Sequence, residues 1–197
     1  MIDLPTYPGP ASADAALIDY GGFLVPGLGG PVQRIDRLGN RFRLSVSLPP
    51  MTGVQAGRQW VARLLRAKTE GGRMAFPLQG FLPGVAGPVA VVGSTNAGKV
   101  LAVRGATPNY IFREGQFFSM LSSGKHHLHF VDAEVIASAT GTATLQITPM
   151  IRRQAVDGDL CFFEQPIIEG YVVGEEQQWS MQVGYLIGIN FELRESE

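Results

Sequence analysis

The chain has one cysteine, Cys161, and only three histidines among 197 residues. A lone thiol forms no intrachain disulfide, and no zinc site can be assembled from thiolates. Its setting in Asp159-Leu160-Cys161-Phe162-Phe163 reads as a small buried residue of a strand. Charge is also scarce: charged residues make up 17% of the chain, and 16 basic against 17 acidic side chains leave a formal charge of -1. Phosphate binding wants a basic excess on one face, so nucleic acid is not expected as a specific partner. No apolar run approaches the roughly 20 residues that span a bilayer, so membrane insertion is not expected. Nor does a basic stretch followed by an apolar core open the chain, and the expectation is synthesis and folding in a cytoplasm.

What is abundant is hydrophobic residues, 45% of the total, with 25 glycines and 13 prolines. Short apolar runs cut by turn residues are the mark of an all-β chain. The expected fold is mainly β, an antiparallel β-sandwich or barrel-like domain with one amphipathic helix. Residues 1–16 hold Pro5, Pro8 and Pro10 and read as an extended arm, disordered until something binds it. A single β-rich domain is expected over 17–193, followed by a charged tail at 194–197. Within it, residues 31–48 read as a hairpin, turning at Leu38-Gly39-Asn40, with Phe42, Leu44, Val46 and Leu48 on the dry face. Thr52 is placed to cap a helix over 54–68, in which Ala56, Trp60, Leu64 and Ala67 form the apolar stripe, widened by Val61 and Leu65. Arg58, Arg63, Arg66 and Lys68 fall on its solvated side, and Gly71-Gly72 ends it.

Met74 to Leu78 reads as an edge strand because Pro77 cannot donate to a ladder. The stretch 89–173 reads as an antiparallel meander, with Val89–Val92 paired to Leu101–Arg104 and turns at Ser122–Lys125 and Ala139–Thr142. In its His126-His127-Leu128-His129 run, His126, Leu128 and Phe130 share one face of a strand while His127, His129 and Val131 share the other. Strands over 179–193 complete the fold.

Few constellations suggest chemistry. Gly93-Ser94-Thr95-Asn96-Ala97-Gly98-Lys99 fits a phosphate-binding loop, but Val100 stands where a magnesium-holding hydroxyl belongs, and a strand follows where a helix is needed. A glycine-rich hairpin turn is the simpler reading. His127 and His129 on one strand face could share a metal, with Asp132 or Glu134 adding an oxygen, but no further histidine completes the shell. Ser119 and Ser122 have no placed base, Glu175-Glu176 sits in a loop, and Trp60 and Trp179 read as core. No catalytic, cofactor-binding or metal residue is assigned, and the chain is not expected to be an enzyme.

Several segments, in this order, resemble the small distal tail proteins of long-tailed bacteriophages. They are Val32 to Phe42 with Leu48-Pro49-Pro50-Met51, the helix with Gly71-Gly72, and Gly93 to Gly105. Glu114-Gly115-Gln116-Phe117-Phe118-Ser119, Leu128-His129, Gly141 to Pro149 with Ile151-Arg152-Arg153, and Pro166 follow. Gln116 departs from an acidic residue common in that family. The resemblance implies a virion protein of the tail tip or baseplate, in a ring often of six copies. That ring would join the tail tube to the hub, with tube, tape-measure and tip proteins as partners and no active site. A tail-tube or neck subunit is an alternative within the virion. A carbohydrate-binding β-sandwich for host attachment is another, with Tyr110, Tyr171 and Trp179 as its candidate aromatics.

Overall fold

The computed structural model describes residues 1–52, 55–93, 98–182 and 186–196, with the Thr52 side chain left out. Strands β1 (Ile2–Asp3), β2 (Ser12–Ile18), β3 (Gly22–Leu24), β4 (Gln33–Ile35), β5 (Arg41–Ser47) and β6 (Met51–Thr52) precede helix α1 (Ala56–Glu70). After it come β7 (Gly72–Ala75), β8 (Ala90–Val91), β9 (Gly98–Arg104), β10 (Ile111–Phe112), β11 (Phe117–Ser122) and β12 (Lys125–Val131). The last are β13 (Val135–Ile136), β14 (Ala143–Ile151), β15 (Leu160–Phe162), β16 (Ile167–Val172), β17 (Trp179–Gln182) and β18 (Leu186–Glu195). The fold is mainly β, with one helix among the described residues, and that helix is too short and polar to cross a membrane.

Two bodies of sheet share the chain. One is an open sheet in the order β1-β7-β16-β18-β5-β2, with β17 and β6 pairing the early part of β18. The other is a closed barrel, β11-β12-β14-β9-β8-β15. Strands from the expected meander close into this barrel, which is filled from within. Phe118, Met120, Leu145, Ile147 and Phe163 lie in that filling. Closure also removes the edges that an open meander would expose. The expected pairing of Val89–Val92 with Leu101–Arg104 is present as β8 on β9. The tight turn at Ser123-Gly124 joins β11 to β12, with φ of 50° and 78° at its two centres, the conformation that matches the twist of a two-residue hairpin.

The second core lies between the open sheet and α1. Trp60, Leu64 and Ala67 are buried there, as the 3.6-residue period predicts, while Leu65 is 45% exposed. The helix begins two residues later than expected, at Ala56. Thr52 is not its cap, because its backbone is taken by β6 pairing with Leu186; Gln55 precedes the helix and makes no side-chain cap. Gly71 closes it, its N–H donating to the Ala67 carbonyl at 2.9 Å. Leu128 of the barrel also enters this core, whereas Val131 faces the barrel interior, which is the face alternation read for the histidine strand.

Four expectations are corrected. The N-terminal segment is extended but is not free. β1 pairs in parallel with β7, Leu4 is buried against α1 and the sheet, and β2 pairs with β5 from Ser12↔Ser47 to Ile18↔Arg41. Its prolines stand between β1 and β2, so they deny regular structure only there. The 31–48 hairpin does not form: β5 keeps its dry face but pairs with β2 and β18, and Gln33–Ile35 pairs with β3 instead. β7 is not the sheet edge, since β1 covers its outer side, and Pro77 falls beyond it. The charged tail is corrected too, because β18 runs to Glu195, whose side chain is buried.

Candidate interaction surface

Because β2 and β5 are joined through residues 19–40, that connection becomes an arm on the end of their ladder. β3 and β4 form a two-stranded ribbon in register Gly22↔Ile35, Phe23↔Arg34 and Leu24↔Gln33. Its root is pinned. Asn40 Oδ1 accepts the Tyr20 N–H at 2.8 Å, Asp19 Oδ1 accepts the Gly21 N–H at 2.8 Å, and the Arg41 guanidinium lies 5.0 Å over the Tyr20 ring. Arg34 bridges Asp19 at 2.9 Å and Asp36 at 2.7 Å while lying 5.6 Å over Phe23. The Gly21 amide, then Asn40 and Arg34, hold the Asp19 carboxyl below its ordinary pKa. Beyond the root, every residue from 22 to 38 is exposed. Phe23, Leu24, Val25, Val32 and Leu38 are all more than half exposed, and Leu28 at the apex is fully so. A two-stranded ribbon that buries nothing is at best marginal alone in water.

At the opposite end of β5 lies an open cavity of about 800 Å³. Leu48, Pro49, Pro50, Trp179, Ile189 and Phe191 are among its walls. One side is built by the loop after β16, where Gln177 Nε2 donates to the Asn190 carbonyl at 2.9 Å. Trp179 was expected in the core; it is 38% exposed on β17, none of whose four residues is buried.

The sheet and the barrel are joined through a buried carboxylate. Glu195 Oε1 accepts the Leu128 N–H at 2.7 Å and the Arg152 Nη2 at 2.9 Å, and Oε2 accepts the Phe42 N–H at 2.7 Å. Burial pushes this carboxyl up from its ordinary pKa, and Arg152 with the two backbone amides opposes that. Nothing in the sequence marks Glu195 for this, since its partners stand far away in the chain.

The sequence-predicted candidates fall into structural roles. His129 is wholly buried, stacked on Phe118, with its Nδ1 2.9 Å from the Pro149 carbonyl; burial lowers its pKa to about 3. His127 lies with Nδ1 3.4 Å from Arg152 Nη2, and burial, then Arg152, lowers its pKa to about 4. Arg152 sets a positive charge beside both imidazoles, which disfavours a cation there. Asp132 instead accepts from Thr148 at 3.0 Å, and Glu134 faces Arg113 at 3.7 Å. No group of three His, Cys, Asp or Glu among the described residues could hold a metal ion. Residues 94–97 of the lysine loop lie outside the described residues, but β9 begins at Gly98, so no helix follows to receive a phosphate.

Ser119 does have an imidazole beside it, contrary to expectation: its Oγ lies 3.3 Å from His126 Nδ1. The hydroxyl also accepts the Ile167 N–H at 3.0 Å, and Ser119 is fully buried, so the pair is a tie between β11 and β16. Glu169 nearby accepts the His126 backbone N–H at 3.4 Å, and burial raises its pKa. Cys161 is buried in β15, with its thiol pushed up to about 12. Glu175 and Glu176 lie in an exposed loop. On the helix, Arg63 donates to the Asp3 carbonyl at 2.7 Å, Arg66 pairs with Glu70 at 3.3 Å, and Lys68 donates to the Gly174 carbonyl.

The three aromatics proposed for sugar binding do not form one platform. Tyr110 donates to the Pro83 carbonyl at 2.6 Å and accepts from Gln116 at 2.8 Å, whereas Tyr171 and Trp179 border different cavities. No family model matches this chain. No curated protein matches it either.

Proposed function

We propose that this chain is a structural protein of a bacteriophage tail. It would assemble as a ring at the distal end of the tail tube and join the tube to the tip or baseplate hub. On this reading it is not an enzyme, its location is the virion, and its partners are its own copies with the tube, tape-measure and hub proteins. The observation that carries the reading is the β3–β4 arm, whose residues 22–38 are all exposed although several are large and apolar. An exposed element that carries several large apolar side chains marks an interaction surface. The free outer side of β2, a seven-residue edge strand, offers a second place for a neighbour. The order of segments resembling distal tail proteins supplies the tail position.

The test is composition and imaging of purified particles from a phage that encodes the chain. Several copies per tail in density at the tube's distal end are expected. Absence from the particle, or one copy per tail, overturns the proposal.

A further inference from the structure

Trp179 lines the open cavity of about 800 Å³ at the end of β5, and backbone pairing fixes its place there. β17 adds to β18 in the register Trp179↔Ile189 and Ser180↔Gly188. The indole is 38% exposed, whereas Trp60, the other tryptophan, is 1% exposed in the helix core. Pro49 and Pro50 give the cavity a stiff wall without backbone donors.

The rest of the lining is polar and almost uncharged. Ser47, Gln177, Gln178, Ser180 and Asn190 line it with Glu176, and no lysine, arginine or histidine does among the described residues. Amides and hydroxyls both donate and accept hydrogen bonds, as the hydroxyls of a sugar do. Three of these side chains are held in position. Gln177 Nε2 donates to the Asn190 carbonyl at 2.9 Å and to the Gln178 carbonyl at 3.1 Å, and Gln178 Nε2 donates to Glu176 Oε1. Gln177 Oε1, Gln178 Oε1 and Glu176 Oε2 take no part in these bonds and remain as acceptors.

This lining excludes as much as it admits. A phosphate or carboxylate would find no cation and would meet the like charge of Glu176. A wholly apolar ligand would strip water from the amides and hydroxyls without replacing their hydrogen bonds. A neutral polyhydroxylated ring avoids both costs: its C–H face lies on the indole and its edge hydroxyls bond the amides. The open shape suits a chain of such rings, whose outward hydroxyls stay hydrated.

We propose that this cavity binds a neutral saccharide, with one sugar ring stacked on Trp179 and its hydroxyls bonded by Gln177, Gln178, Glu176 and Asn190. It is not the three-aromatic platform expected from the sequence, because Tyr110 and Tyr171 take no part. The site stands on the cavity's own chemistry and does not rest on the phage assignment.

The full chain is tested against neutral tetrasaccharides of glucose, galactose, mannose, rhamnose and N-acetylglucosamine. Saturation-transfer NMR detects the bound sugar, and acrylamide quenching of tryptophan fluorescence locates it, because Trp60 is buried. At least one probe is expected to bind with a Kd of about 1 mM or below and to shield Trp179 from the quencher. Trp179→Ala should weaken that binding at least about tenfold, as for loss of a central aromatic contact, while Trp179→Phe keeps part of it. Should Trp179→Ala fail to fold, Gln178→Ala on the exposed loop replaces it. Its binding should be about threefold weaker or more, as for one lost hydrogen bond. A sulfated form of the bound probe should bind more weakly than the neutral one, since Glu176 repels it. No binding of any probe at about 10 mM, binding that both variants leave unchanged, or tighter binding of the sulfated form overturns the proposal. Presence in purified tails without saccharide binding would fail this inference alone, and saccharide binding by a chain absent from tails would fail the phage reading alone.

Discussion

Arg152 and Glu195 form an ion pair sealed from water, Nη2 to Oε1 at 2.9 Å, with side-chain exposures of 8% and 0%. Arg152 comes just after the end of β14 in the barrel and Glu195 ends the last strand of the open sheet. The pair, with the amides of Phe42 and Leu128, is a bolt between the two bodies. Removing one partner leaves a buried charge, so Glu195→Ala should cost about 3–5 kcal/mol in urea unfolding. Replacing both by apolar residues, Arg152→Met with Glu195→Leu, should recover part of that loss. A single variant as stable as wild type would mean that the carboxylate is not buried as described.

The N-terminal segment is predicted to stabilise the fold. Leu4 is 4% exposed in the core that holds Trp60 and Leu64. Leu4→Ala should cost about 2–5 kcal/mol by lost burial and cavity formation, and deleting residues 1–10 should cost at least as much. Chemical unfolding of both variants checks this; an unchanged midpoint would return the segment to a free arm.

Stability should depend on pH through His127 and His129. Both are held neutral in the folded state, with pKa values lowered from 6.5 to about 4 and about 3. The unfolded chain therefore takes up protons first as pH falls. This contribution is fully present above pH 6.5 and drains away between 6.5 and the folded values, with a slope approaching about 2.7 kcal/mol per pH unit for the two together. Glu169 and Glu195, raised by burial, act with the opposite sign at the acid end of the window, where the folded state keeps their protons longer. Unfolding midpoints from pH 7 to 5 measure the balance, and a His129→Gln variant with the same pH profile as wild type would contradict the lowered pKa of that imidazole.

Gly170 should tolerate no side chain. It faces Glu195 across β16 and β18, and a Cβ there would stand 1.8 Å from the Arg194 carbonyl oxygen. Backbone cannot yield as a flexible side chain does, so Gly170→Ala should cost about 3 kcal/mol or more. Thermal unfolding of the variant checks it, and a shift of less than a degree would refute the close approach.

What the sequence determined by itself was whatever rests on neighbours along the chain. The alternation of Phe42, Leu44, Val46 and Leu48, the spacing of Trp60, Leu64 and Ala67, the turn at Ser123-Gly124 and the alternating faces of the histidine strand are local periods and local turn chemistry. They appear in the fold as read. Tertiary structure alone decided who pairs with whom. β5 took Ser12–Ile18 rather than the nearer 31–37, and an Ala-rich run with weak alternation gives no periodic signal of that partnership. The exposed arm followed from this choice, because a connection displaced from the ladder has nothing to pack on. The charged ending hid the bolt for the same reason: a glutamate among charged residues reads as solvated until Phe42, Leu128 and Arg152 are brought around it. Such groups become neighbours only when the chain closes on itself, and no window of sequence contains them all.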